Sequence, residues 1–234
     1  MMHMEGICKA AVVQKAEAPD GGELALINTQ ALRPLTAGEV FTFRLAACDN
    51  QVDRDHERFT DQALEQMAKL YVGKPVLRDH SWREGSQTAR VYAAGVEETG
   101  QVKRLVLRCY MPRTEGTAET IAAIESGVVR ECSVGVRAGK SVCSICGADQ
   151  TDAVCRHYPG REYDGRLCHF DLDDITDAYE VSLVAVPAQP EAGVVKSKRY
   201  GGRELPPEGD QNSIKALQMA RARLALEKIR FGGN

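Results

Sequence analysis

Apolar and polar positions divide the chain into short elements. VFTFRLAAC at 40–48 is rich in β-formers and predicts a strand, followed by a polar loop, DNQVDRDHER. Thr60 is placed to cap a helix over 61–71, where Leu64, Met67, Ala68 and Tyr71 recur on one face. Gly73, Lys74 and Pro75 stop it, and PVLRDH then reads as a short strand running out at His80. Residues 88–97 and 101–111 read as two strands around a Thr99–Gly100 turn, and 115–126 as a short helix stopped at Gly127. VVRECSVGV (128–136) and AYEVSLVAV (178–186) are further strands, the second closed by PAQP. Many short strands and few helices predict an α+β fold, a small mainly antiparallel β-barrel with flanking helices.

The ends differ from this middle. Residues 1–35 carry little pattern and read as a ragged arm. Residues 197–212 are rich in Gly, Pro and charge, the composition of a linker. Residues 213–234 read as a basic amphipathic helix with Leu217, Leu224 and Phe231 seven apart, either docked or free to contact an assembly partner. One domain over 36–196 is therefore expected between an arm and a tail.

Composition narrows the class. With 234 residues and 43% hydrophobic content the chain can bury a core and is not disordered throughout. Mean hydropathy is -0.33, and no stretch approaches the roughly 18 apolar residues of a membrane span. The start has no apolar run of signal-peptide length, so secretion is not expected. A net charge of -3 excludes a globally basic nucleic-acid coat.

Four of the eight cysteines crowd into 143–168. The spacing Cys143-x2-Cys146 followed by Cys155-x-His157 fits a closed tetrahedral metal site, and soft sulfur ligands without an open position point to structural Zn²⁺. Cys168 and His169 are alternatives for the fourth ligand. The insertion, about 140–170, is too polar to order itself without metal. Around 143–157 only Arg156 stands against Asp149 and Asp152, the wrong sign for phosphate, so nucleic acid is not an expected partner.

Three further residues draw attention. His80 stands where a strand meets a loop. In ECSVGV, a period of two puts Cys132, Val134 and Val136 on one face and Ser133 and Gly135 on the other. Glu180 heads an apolar strand. Each has a plain structural explanation as well: a surface imidazole, an ordinary strand serine, an exposed acid.

Together, in this order, they resemble the prohead (capsid-maturation) serine proteases of tailed phages, whose fold is related to that of the herpesvirus assembly proteases. The family's P-x-x-x-x-H segment is matched by Pro75 to His80, its S-[IV]-G strand by Ser133-Val134-Gly135, and its E-[VI]-S-L-V-x-x-P-A-x-P-x-A strand by Glu180 to Ala192. Upstream, Asp53-Arg54 and Phe59 fit its D-R-x-x-x-x-F entry into the first helix. The resemblance covers about 40–195. It implies a serine endopeptidase with Ser133 as nucleophile and His80 as general base, the third member being Glu180, or else Asp177, His56 or Asp79. The oxyanion donors stay unassigned, with a backbone N–H near Gly135 and Arg137 as candidates. It further implies capsid and scaffold proteins as substrates, self-association, and action in the host cytoplasm inside the procapsid. The zinc insertion departs from the simplest members and falls between the Ser133 and Glu180 strands, where it would disturb or cover that side of the site. The competing reading is a non-catalytic virion assembly or scaffolding module on the same fold.

Overall fold

The computed structural model describes residues 13–14, 18–153 and 155–185. The expected linker and tail helix, the PAQP segment and most of 1–17 lie outside the described residues. The elements in chain order are β1 (Val13–Gln14), α1 (Gly21–Asn28), β2 (Val40–Asp49), β3 (Glu57–Phe59), α2 (Asp61–Leu70), β4 (Pro75–Arg78), β5 (Ala89–Thr99) and β6 (Val102–Pro112). There follow α3 (Glu115–Glu125), β7 (Cys132–Cys143), β8 (Glu162–Tyr163), β9 (Arg166–Leu167) and β10 (Phe170–Leu183). Among the described residues no helix is long and apolar enough to cross a membrane.

The fold is α+β with a mostly antiparallel sheet. Strand order runs β1-β2-β6-β5-β4-β10-β3, with β7 on the other edge of β10. The expected closed barrel is not formed among the described residues. Closure would need a ladder between β7 and β2. One edge of β2 is taken by β6, and part of the other is taken by β1 at Arg44 and Leu45. Among the described residues no ladder joins β7 to β2; where the two strands approach, the Cys132 thiol donates to the Ala46 carbonyl oxygen at 3.9 Å.

The spine of the molecule is β10. Its N-terminal part pairs in parallel with β3, its C-terminal part in parallel with β4, and its opposite edge with the whole of β7. Between β3 and β4 its backbone lacks a strand partner, and buried amides without partners are costly. Helix α2 fills that gap. Gln66 Oε1 accepts from Ile175 N–H at 2.7 Å, and the Tyr71 hydroxyl lies 3.0 Å from the Glu180 carbonyl oxygen and 3.3 Å from that of Gly135. The helix forms where expected. Thr60 accepts from Ala63 N–H, Asp61 stands in the first turn and Lys69 in the last. Ala63, Leu64, Met67 and Ala68 are buried against Val76, Ile175, Ala178 and Val181 in the main core, and Tyr71 caps the helix fully buried.

One departure lies in the expected arm. Residues 21–28 are helical, opened by a capping box in which Asp20 accepts from Glu23 N–H. Ile27 packs with Val40 and Tyr92 in a second cluster. Two glycines in the first turn, and no apolar stripe elsewhere in it, hide this helix from periodicity.

Burial pushes the Tyr71 phenol well above its ordinary range, so it stays a donor. Replacing Tyr71 by Phe is expected to cost about 1 kcal/mol. A urea melt reads this as a lower midpoint at constant slope. An unchanged midpoint would show that the hydroxyl does not hold β10 and β7.

Candidate active site and metal centre

The hairpin of β7 and β10 builds the candidate active site through its register. Ser133 pairs with Ser182 and Gly135 with Glu180, so all four face the same way, about 5 Å apart across the ladder. Cys132, Val134 and Val136 point into the core, as the period of two predicts. On β10 the phase is reset by a bulge. Val136 pairs with Ala178 and Val134 with Val181, so three steps on β10 match two on β7 and Tyr179 is the extra residue. Without it Glu180 would share the core side with Ala178. With it Glu180 and Ser182 leave by the opposite face.

His80 arrives from the end of β4. Asp79 and His80 both adopt left-handed backbone, with φ of 52° and 53°. Such geometry is costly for residues with a Cβ and is kept where other contacts hold it. Here Asp79 N–H donates to the Leu183 carbonyl and His80 N–H to Ser182 Oγ, each at 3.0 Å. The turn lays the imidazole over β10, where Nδ1 is 2.8 Å from Glu180 Oε1. The second carboxylate oxygen accepts from the Ser182 hydroxyl at 2.5 Å. Glu180 is buried, its side chain only 2% exposed, whereas that of His80 is 45% exposed. With the carboxylate as acceptor, Nδ1 is the donor of this hydrogen bond, and Nε2 is the ring nitrogen that takes no part in it.

Gly135 has a concrete reason to be glycine. A Cβ there would stand 2.4 Å from Glu180 Oε1. The Glu180 carboxylate therefore lies against Gly135 of β7, on the face that carries Ser133 two residues away. Ser133 is half-buried, and its hydroxyl makes no side-chain hydrogen bond among the described residues. Ser182 is different. Fully buried, it both accepts from His80 and donates to Glu180, which makes it a positioning residue. Sequence reasoning missed it, although the spacing Glu180-x-Ser182 on a strand already put both on one face.

The other candidates for a third member lie elsewhere. Asp177 pairs with Lys74 at 3.3 Å. His56 belongs to the far end of β10, where its carbonyl accepts from Phe170 N–H and its ring sits against Gly160. Asp79 adjoins His80 and lines a cavity of about 470 Å³ beside α3. That cavity also takes in Arg78 and Leu183, which share a register position at the end of the core layer, away from the face of Ser182. Arg137 is exposed on the Ser133 side of β7.

The cysteine cluster forms the tip of the same hairpin. Cys143 Sγ, Cys146 Sγ, Cys155 Sγ and a His157 ring nitrogen all lie within 4.8 Å of one another, and this group can hold a metal ion. Cys146 and Cys155 sulfurs are 3.5 Å apart, near the roughly 3.8 Å edge of a tetrahedron of thiolates around a metal at about 2.3 Å. Backbone amides aim at the sulfurs, Ile145 N–H at Cys143 and His157 N–H at Cys155. Burial pushes the Cys143 thiol up, but amides at Cys146 and Ile145 pull it further down, toward thiolate. Gly147, at φ 72°, turns the first knuckle. The ring of His157 rests edge-on against Tyr163 of the small β8–β9 hairpin. Cys168 sits at the rim, its sulfur 4.0 Å from Cys143, and His169 pairs instead with Asp171 at 3.3 Å.

This position corrects the expectation that the insertion would cover the Ser133 side. Cys143 pairs with Phe170 at one end of the hairpin and Ser133 with Ser182 near the other. Ten residues of strand at about 3.3 Å each separate them by about 33 Å.

No family model, curated protein or solved structure matches this chain.

Gly135→Ala is expected to displace the Glu180 carboxylate and lower stability by roughly 1–3 kcal/mol. The imidazole Nδ1–H resonance, held downfield by the carboxylate in proton NMR, should move upfield. Retention of that resonance would show that Glu180 has room to spare.

Proposed function

We propose that the chain is a serine endopeptidase of phage capsid maturation, in which Ser133 attacks the scissile carbonyl. The observation that carries this reading is the His80–Glu180 pair, seated on the face of the hairpin that also presents Ser133. Supporting it is the ordered set of motifs from Pro75 to Ala192. A serine hydroxyl is a weak nucleophile until a base takes its proton. Nε2 of His80 is the base, and Glu180 fixes the tautomer and stabilises the imidazolium. The proton then passes to the leaving amine. Ser182 holds both the His80 backbone and the Glu180 carboxylate, so the imidazole is aimed before substrate arrives. Substrates, on this reading, are capsid and scaffold segments inside the procapsid.

We further infer that the Cys143, Cys146, Cys155 and His157 centre holds Zn²⁺ in a structural role. Three soft sulfurs and one imidazole form a closed set without an open position.

Ser133→Ala should abolish cleavage of co-expressed capsid protein without changing the melting curve, and Glu180→Gln should slow it by about 10²–10⁴-fold. A serine-directed phosphonate should label Ser133. Cleavage surviving in Ser133→Ala would sink the mechanism, and unlabelled Ser133 in assembled particles would favour a scaffolding module instead.

Cys146→Ser is expected to lower zinc, measured by elemental analysis, from one ion per chain to near zero. Hydrogen exchange should rise in 144–169 while phosphonate labelling of Ser133 persists. Loss of labelling together with zinc would tie the metal to the active site.

A further inference from the structure

We infer that Trp82 and Tyr179 form a subsite for an apolar or aromatic side chain of the peptide, on the leaving-group side of the bond that is cut. The inference rests on the endopeptidase reading and deepens it. Trp82 is the sole tryptophan of the chain. Tryptophan is usually well buried, yet here it is 70% exposed. Tyr179, 36% exposed, is its partner, with ring centroids 6.2 Å apart at 67°. Edge-on contact of this kind leaves ring faces open to a further apolar group.

The placement of the two rings ties them to the chemistry. Trp82 follows His80 by two residues on the loop that the left-handed turn folds over β10. Tyr179 is the extra residue of the bulge that turns Glu180 away from the core. The same two backbone irregularities that bring imidazole and carboxylate together therefore also bring the aromatic rings together. Strand order fixes the side. His80 and Tyr179 belong to the β4–β10 side of the site and Ser133 to β7. Because the imidazole must hand its proton to the departing amine, the leaving fragment lies on the His80 side. Its first side chains meet Trp82 and Tyr179. Apolar contacts made away from the reacting atoms act through binding, so their loss raises KM more than it lowers kcat.

The test uses full-length protein in two arms. In the first, wild type, Trp82→Ala and Trp82→Phe digest a proteome-derived peptide library, with cut sites read by mass spectrometry. Wild type should enrich large apolar residues in the first two positions after the cut. Trp82→Ala should lose that enrichment and raise KM about tenfold for a favoured peptide with kcat within about twofold, and Trp82→Phe should keep most of it. Unchanged specificity in Trp82→Ala overturns the proposal. In the second arm, Ser133→Ala, which cannot turn over, is titrated with the hexapeptide Ala-Ala-Ala-Phe-Ala-Ala and with its analogue carrying Asp for Phe. Trp82 emission should shift for the first and not for the second. No shift with the Phe peptide overturns the proposal. So does a shift caused by self-association, seen as a dimer that Trp82→Ala abolishes while cut sites stay the same. If no library peptide is cut and Ser133 is not labelled, the endopeptidase reading fails. A Phe-selective shift of Trp82 emission then still establishes the apolar-peptide site.

Discussion

A buried carboxylate is the constraint on which the candidate active face depends. An ionised acid taken out of water is unstable unless its oxygens are matched by donors. Glu180 meets that demand with one oxygen on the His80 imidazole and the other on the Ser182 hydroxyl. Each partner is fixed in turn: Ser182 by its place on β10, His80 by the N–H it gives back to Ser182. The three groups form a closed ring of hydrogen bonds between one strand and one turn. Gly135 completes it by leaving the space the carboxylate occupies. Remove any member and another is left buried with an unmatched polar atom, the expensive outcome for a hydrogen bond.

The ring in turn depends on how β10 is supported. A strand of fourteen residues with one long ladder and two short parallel ones would be weak at the gap between the short ones. Helix α2 serves both as core and as a source of polar partners there. Its apolar face buries β10 from the inside, while Gln66 and Tyr71 hydrogen-bond to backbone groups of β10, Tyr71 at the residue that carries the carboxylate. Fold and site are thus coupled through one helix that touches neither Ser133 nor the His80 ring by hydrogen bond.

Much of this is legible in the sequence, and the illegible parts share a cause. Local signals carry α2, whose cap and apolar stripe are contained in a dozen residues. They also carry the two faces of ECSVGV and the C-x-x-C knuckle. Nothing local marks residues 170–177 as strand. DLDDITD alternates poorly and is acidic, and it is extended because β7 runs antiparallel beside it. The bulge at Tyr179 is equally silent, since it exists only relative to a partner strand. That silence matters for function. Counting by twos from Ala178 assigns Glu180 to the core, and only the pairing with Val136 and Val134 shows that it faces the other way. The capping box at Asp20 and Glu23 is legible in the sequence, but the two glycines between them are poor helix formers and mask the helix it opens. The Asp164–Gly165 hairpin signal, with both residues at positive φ, was readable too and lay hidden inside the cysteine cluster.

The two ends of the β7–β10 hairpin divide the work between them. At the tip, the cluster around Cys143 closes a polar excursion that has few apolar residues of its own, only a small group around Cys143, Cys168 and Phe170. A metal bound there would substitute for a core the excursion is too small to build. At the base, the main core packs from α2 and α3 against β7 and β10, and this is where the carboxylate ring stands. A metal bound at one end would clamp the same pair of strands that the hydrophobic core holds at the other. The register between Ser133 and Ser182 would then be held from both sides, because a slip of one residue would have to break both the metal knuckle and the core packing and would turn Ser133 inward. A metal bound at the tip would therefore reinforce an alignment that the core packing at the base already sets, about 33 Å away.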